Sequence, residues 1–249
     1  MTQQITLYTS VICPFAHRAE IALEETGLPY KRFEIDLSNK PEWYPSVNPV
    51  GQVPAITYGG PDVPPDQPSP ESTKIAESLV IIDFFNELAP NHPLLPSDPV
   101  LRAKARFFIE AFSSRFFPQW YASVLKGEGF DKLYDALEGL QALLPNSKSG
   151  TTSGKYASGK YAVGDEYTLA DVAAAPFFAR LEVALREDVG GFAEGEGPKA
   201  YKVLTEDARF ARWREYFANL KERESFKKTW DEEKYKEKFA ARISGARKA

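Results

Sequence analysis

The spacing of apolar residues divides this chain in two. Up to about residue 90, runs with a two-residue period alternate with runs at helical spacing, and beyond that only the helical period persists. Ile5-Thr6-Leu7-Tyr8 reads as a short buried strand. Arg18 to Glu25 then carries Ala19, Ala22 and Leu23 at helical spacing until Gly27 ends the run. Phe33, Ile35 and Leu37 alternate with Glu34 and Asp36, which predicts a half-buried strand. A turn-rich stretch, Asn48-Pro49-Val50-Gly51-Gln52-Val53-Pro54, leads into the apolar Ala55-Ile56-Thr57-Tyr58. Five prolines between Pro61 and Pro70 make the next segment a structureless loop, since proline cannot donate to a strand ladder. A last helix begins near Ser78 and passes through Leu79, Ile82, Phe85 and Asn86, giving the order β-α-β-β-β-α or a close variant.

After the turn at Pro90 to Pro99, Phe107, Phe108, Phe112, Phe116 and Phe117 follow Leu101 on one long amphipathic helix, and Leu133, Leu137, Leu140 and Leu144 mark the next. Ser147 to Gly159, rich in Ser, Gly and Lys, reads as a flexible loop. Thr168-Leu169-Ala170-Asp171 precedes the small apolar Val172 to Ala175, with an acidic residue three positions after a threonine as in a capping box. Asp171 therefore reads as the structural start of a buried helix.

Composition narrows the function classes. The 249 residues are 43% hydrophobic and 27% charged, values of an ordinary globular chain, and no run of about 18 apolar residues predicts a membrane span. The N-terminal residues do not read as a signal peptide, so the expectation is cytoplasmic. A net charge of −4 argues against nucleic acid as a partner. The basic residues after Phe226 alternate with acidic ones, the pattern of a solvated helix face. With two histidines, neither a metal site nor a Ser-His-Asp triad is expected.

The one cysteine carries the chemistry. Cys13 stands between the first strand and the first helix, and Pro14 suits the first helical position because its missing N–H costs nothing there. Helix-start amides and the positive dipole end beside the sulfur favour a thiolate. A single thiol cannot run a two-cysteine cycle, so its resolving thiol must come from outside the chain. His17, four residues on, reads as a surface or packing residue.

Taken in order, Cys13-Pro14-Phe15-Ala16-His17-Arg18, Asn39-Lys40-Pro41-Glu42-Trp43, the Asn48 to Pro54 turn, Glu77-Ser78 and the Thr168 to Asp171 helix start resemble the glutathione transferase superfamily. The resemblance is to its omega-like, cysteine-type members, with intervening sequence similar to fungal ones, and it covers nearly the whole chain. It implies a thioredoxin-like glutathione-binding domain (βαβ-ββα) over 1–90, a linker over 91–98, and an all-helical second-substrate domain over 99–249. It also implies a homodimer, no membrane partner, and glutathione as co-substrate without a metal.

Site residues follow by the same resemblance. Cys13 is the catalytic thiol, and Phe15 lies in the glutathione site. Val53 precedes Pro54, cis in this family, and pairs its backbone with the cysteinyl part of glutathione. Ser78 takes the γ-glutamyl carboxylate at a helix start, Glu77 the amino group, and Lys40 the glycyl carboxylate. Phe116, Trp120, Tyr121, Phe177, Arg180 and Trp230 match a second-substrate wall, although core packing is an equal account of each. The implied activity is thiol transfer: Cys13 forms a mixed disulfide with glutathione, serving deglutathionylation, dehydroascorbate reduction or disulfide reduction. The substrates are small electrophilic, disulfide or aromatic compounds. Two alternatives stay open. One is a ligandin-type detoxification protein that binds flat aromatic or phenolic compounds with little transfer, and the other is conjugating chemistry with Ser10 at the glutathione sulfur.

Overall fold

The computed structural model describes residues 3–146 and 158–243. The expected loop at Ser147 to Gly159 lies, but for its last two residues, outside the described residues. Two compact units emerge. One comprises residues 1–94 together with Lys228 to Trp230, and the other holds the remaining residues from Leu95 onward.

The first unit is built on a four-stranded sheet. Its strands are β1 (Ile5–Thr9), β2 (Lys31–Glu34), β3 (Ala55–Tyr58) and β4 (Thr73–Ala76), in spatial order β2-β1-β3-β4. β1 pairs parallel with β2 and antiparallel with β3, and β3 pairs antiparallel with β4. Helix α1 (Pro14–Thr26) is the parallel crossover from β1 to β2, and α2 (Ser78–Leu88) packs against it. This is the thioredoxin-like arrangement, with β-α-β followed by β-β-α. Every residue of β1 is buried, as a central strand covered on both faces must be.

β2 starts two residues and ends three residues earlier than the alternation at 33–37 predicts. Its ladder ends at Glu34, although the Ile35 N–H still reaches the Thr9 carbonyl at 2.8 Å. Asp36 then turns the chain by accepting the Ser38 N–H at 2.8 Å. The apolar period is nonetheless a true signal of facing: Phe33, Ile35 and Leu37 all pack into one cluster with Tyr8, Tyr44 and Val53.

The proline-rich segment forms neither helix nor strand, but it is tied down. Tyr8 Oη donates to the Pro65 carbonyl at 2.8 Å, and Lys74 Nζ donates to the carbonyls of Ser69 and Ser72 at 2.6 and 2.7 Å. Lys74 belongs to β4, a strand that the sequence pattern leaves implicit between the prolines and Ser78.

The second unit is helical. The phenylalanine-rich run is not one regular helix: α3 (Pro99–Ala111) passes into a π-helical stretch at Phe112–Phe116, then α4 (Phe117–Trp120), then a second π stretch at Tyr121–Leu125. Pro118 gives a cause, since it has no N–H to donate and its ring crowds the carbonyl four residues back, where the π-helical turn widens the spiral. Helices α5 (Asp131–Gln141), α6 (Leu169–Arg186), α7 (Glu196–Glu206), α8 (Ala211–Lys221), α9 (Glu224–Thr229) and α10 (Glu232–Ile243) complete the described part.

α6 is the central helix of this unit, buried from Leu169 through Leu181. Its start is the expected capping box: Thr168 accepts the Ala170 N–H, and Asp171 reaches back to the Thr168 N–H at 2.7 Å. The fully buried Asp171 carboxylate also accepts from the Ala162 N–H and from Tyr216 Oη, both at 2.8 Å. Asp171 is thus structural, and it joins α6 to α8 and to the segment before α6.

Candidate functional site

Cys13 is the N-cap residue of α1, with extended backbone angles and Pro14 at the first helical position. A turn carries it, closed by a 2.9 Å hydrogen bond from the Cys13 N–H to the Ser10 carbonyl. The thiol is half-buried, and its Sγ lies 3.4 Å from the Val53 carbonyl oxygen. The segment facing it is itself rigidly built. Buried Asn48 donates to the Gln52 carbonyl at 2.9 Å, Tyr44 Oη donates to the same oxygen at 2.7 Å, and the Gly51 N–H bonds the Asn48 carbonyl at 2.8 Å. Gly51 has φ +69°, which only glycine adopts without cost, and the Val53–Pro54 peptide is cis.

Across from this turn, α2 begins at Ser78, with Glu77 as its N-cap. Glu77 has φ +71°, a conformation that strains a residue with a Cβ by about 1–3 kcal/mol. Its side chain is exposed, whereas Ser78 is buried. Ser78 Oγ accepts a 3.1 Å hydrogen bond from Arg18 Nη1. The Arg18 guanidinium lies 5.1 Å over the Phe15 ring and is only 2% exposed. Burial pulls its pKa down to about 9, against the charge of Cys13, so it is still a cation at neutral pH.

One helix, α1, thereby connects the thiol, the Phe15 ring and the Ser78 hydroxyl through Arg18, a residue to which the sequence motifs assign no role. The available signal is a charged side chain on a helix whose neighbours Ala16, Ala19 and Ala22 are all small and buried. Lys40 is exposed, with Nζ beside Gly51, where a Cβ would come within 3.7 Å of it.

His17 is a packing residue and not a surface one. It is buried, its Nε2 is 2.9 Å from Thr229 Oγ1, and its ring stacks on Trp230 with centroids 5.7 Å apart. Trp230 accordingly groups with the first unit, a correction to its placement with the helical residues; no sequence pattern pairs positions so far apart.

The remaining residues of the expected second-substrate wall lie in the helical unit, and most are core. Phe116 and Phe177 are completely buried, each in edge contact with neighbouring phenylalanines. Arg180 is buried too, donating to the Pro176 carbonyl at 3.0 Å and lying over the Tyr235 ring. Trp120 is buried against Phe177. Tyr121, 43% exposed, is the member of this set that presents a face to solvent. Packing at helical spacing produces the same sequence signal as a lined pocket, so periodicity does not separate the two.

A family model described as the Glutathione S-transferase N-terminal domain matches residues 12–88, and its C-terminal counterpart matches residues 118–219. The chain belongs to the glutathione S-transferase family. Among curated relatives, glutathione S-transferase DHAR2 of Arabidopsis thaliana is 30% identical over 84% of each chain. The omega-1 enzyme of Mus musculus is 28% identical over 72% of this chain and 68% of its own.

Among solved structures, glutathione transferase Omega 1C of Trametes versicolor is 51% identical, with a TM-score of 0.90 and 99% of both chains covered. Omega 2S from the same fungus, solved in complex with 2,4-dihydroxybenzophenone, is 42% identical, with a TM-score of 0.86, covering 98% of this chain and 100% of its own. The protein is therefore an omega-like glutathione transferase similar to fungal members, and glutathione is its co-substrate. Among the described residues no group of His, Cys, Asp and Glu could hold a metal ion, and no helix is long and apolar enough to cross a membrane.

Proposed function

We propose that this glutathione transferase is a thiol transferase that works through Cys13. The observation that carries the reading is the half-buried Cys13 sulfur at the head of α1, 3.4 Å from the Val53 carbonyl. A helix start and the Arg18 cation favour the thiolate, by the same coupling that links the charge of Cys13 to Arg18. The thiolate attacks one sulfur of a glutathione disulfide or a glutathionylated substrate. A bond forms between Cys13 Sγ and the glutathione sulfur, the substrate disulfide breaks, and the leaving thiolate takes up a proton. A second glutathione thiolate then attacks the mixed disulfide, which releases glutathione disulfide and regenerates the Cys13 thiolate.

The surrounding residues suit glutathione. The Val53 backbone can pair with its cysteinyl part as an added strand would. The head of α2 and the Ser78 hydroxyl, held by a buried guanidinium, suit the γ-glutamyl carboxylate. Glu77, held at positive φ at the head of that helix, takes the amino group, and Lys40 offers a point charge to the glycyl carboxylate. Phe15 forms part of the same site.

Intact-mass measurement after exposure to glutathione disulfide, followed by peptide mapping, tests the assignment. One glutathione on the peptide containing Cys13 is expected, and an unmodified protein would refute it. A second reading, binding of flat aromatic or phenolic compounds with little thiol transfer, is favoured by the 2,4-dihydroxybenzophenone complex of the Trametes relative. Saturable binding of such compounds without thiol transfer would select it. We further propose a cytoplasmic homodimer: the single cysteine suits a reducing compartment, and Val50 and Val80 are large apolar side chains exposed on the first unit.

A further inference from the structure

We propose that Glu34 is a positioning residue for Cys13, acting through the turn that carries it; the inference rests on the reading of Cys13 as the transferring thiol. The turn from Ser10 to Cys13 leaves β1 and enters α1, and Val11 occupies its second position. The Val11 N–H donates to Glu34 Oε1 at 2.9 Å. Glu34 is the last residue of β2 and pairs in register with Thr9, the last residue of β1. Its carboxylate therefore projects from the neighbouring strand to the start of the turn.

The contact is one member of a closed ring. Glu34 Oε2 accepts from Arg32 Nη2 at 2.7 Å, and Arg32 Nε donates to Glu20 Oε1 at 2.8 Å. The same Glu20 oxygen accepts from Thr9 Oγ1 at 3.0 Å. Thr9 and Glu20 are buried, so the ring begins on β1 just before the turn, passes through α1 and β2, and returns to the turn itself. Arg32 orients both carboxylates at once, and hydrogen bonds to ionised groups are the stronger kind. The turn backbone is thus held two residues before the sulfur by a side chain that has no need to touch substrate.

Disulfide exchange requires the attacking sulfur to be aligned with the bond it breaks, and misplacement of about 1 Å can cost about 100-fold in rate. Alkylation by a small reagent free in solution makes no such demand. A positioning role therefore slows exchange selectively. An electrostatic role predicts something else: removing the negative charge of Glu34 would favour the thiolate and speed both reactions.

Wild type, Glu34→Gln and Glu34→Ala are reacted separately with glutathione disulfide at saturation and with iodoacetamide, and modification of Cys13 is timed by intact mass. Glu34→Ala is expected to exchange about tenfold more slowly with its alkylation rate unchanged. Glu34→Gln, which keeps an oxygen acceptor for the Val11 N–H, is expected to restore most of the exchange rate. Equal exchange in wild type and Glu34→Ala, or equal change in both reactions, overturns the proposal. If Glu34→Ala does not fold, Glu34→Asp carries the test: its carboxylate is one methylene short of the Val11 N–H, so exchange slowed with alkylation unchanged supports the role and an unchanged exchange rate overturns it. A wild type that forms no adduct removes the reading of Cys13 and this role together, whereas equal exchange rates remove the role of Glu34 alone.

Discussion

Arg18 and Ser78 are joined by a buried hydrogen bond of 3.1 Å that ties α1 to the first residue of α2. The donor is a guanidinium that stays charged at neutral pH although burial lowers its pKa to about 9, so the bond is charge-assisted. It fixes the head of α2 relative to the helix that begins at Cys13. Both helices belong to the first unit, and their mutual placement sets the distance between the thiol and the expected carboxylate cradle.

The glutathione site is expected to depend on Glu77 and Ser78 more than on Lys40. Ser78→Ala removes an acceptor from a buried cation, which costs about 1–3 kcal/mol of stability, and it also removes a hydroxyl from the cradle. Lys40→Ala removes an exposed, flexible charge and is expected to weaken binding least. Calorimetric titration of Glu77→Gln, Ser78→Ala and Lys40→Ala with glutathione ranks them. Full affinity in both of the first two would remove the γ-glutamyl placement.

Cys13 is expected to ionise below the ordinary thiol value of about 8.5, because helix-start amides and the Arg18 cation both favour its thiolate. Thiolate absorbance followed against pH gives the midpoint directly, and substitution of the only cysteine supplies the blank. A midpoint at or above the ordinary value would take away the physical basis for the nucleophile.

Cys13→Ser separates transfer from binding. A hydroxyl cannot form the mixed disulfide, so exchange with glutathione disulfide and with glutathionylated substrates is expected to collapse. Glutathione affinity is expected to survive, since the shape at residue 13 is nearly kept and the hydroxyl can hydrogen-bond the thiolate of glutathione. Wild-type transfer rates in this variant would point to Ser10 or to simple ligand binding.

Asp171 imposes a pH dependence on stability. Burial raises its carboxyl to about 6 from an ordinary 3.8, against the opposing hydrogen bonds from Ala162, Thr168 and Tyr216. The folded state therefore holds this proton more tightly than the unfolded state. The resulting stabilisation is fully present below the ordinary value and is lost as pH rises through about 6, at about 1.4 kcal/mol for each pH unit between the two values. Asp171→Asn, denatured in urea from pH 4 to 7, is expected to be less stable than wild type throughout because it loses acceptors in a buried network. Wild type is expected to lose stability relative to the variant between pH 4 and 7, and a constant gap across that range would contradict the raised value.

Much of this protein is determined by local sequence. The capping box of α6 is readable because Thr168 and Asp171 are three residues apart and satisfy each other's backbone whatever surrounds them. Cys13 at the head of α1 is readable for a similar reason, since Pro14 after a short apolar strand fixes where the helix begins. Facing is legible in β2, where Phe33, Ile35 and Leu37 keep their inward side although the ladder stops at Glu34.

Tertiary structure decided whatever depends on residues distant along the chain. Arg18 meets Ser78, His17 stacks on Trp230, and Glu34 reaches Val11 only because strands and helices bring them together. The same limit applies to the aromatic residues of the helical unit. A phenylalanine at helical spacing marks an apolar face, and whether that face meets other side chains, as at Phe177, or solvent, as at Tyr121, is settled by what packs against it. Periodicity records which side of an element is apolar, while the identity of the neighbour across the gap belongs to the fold.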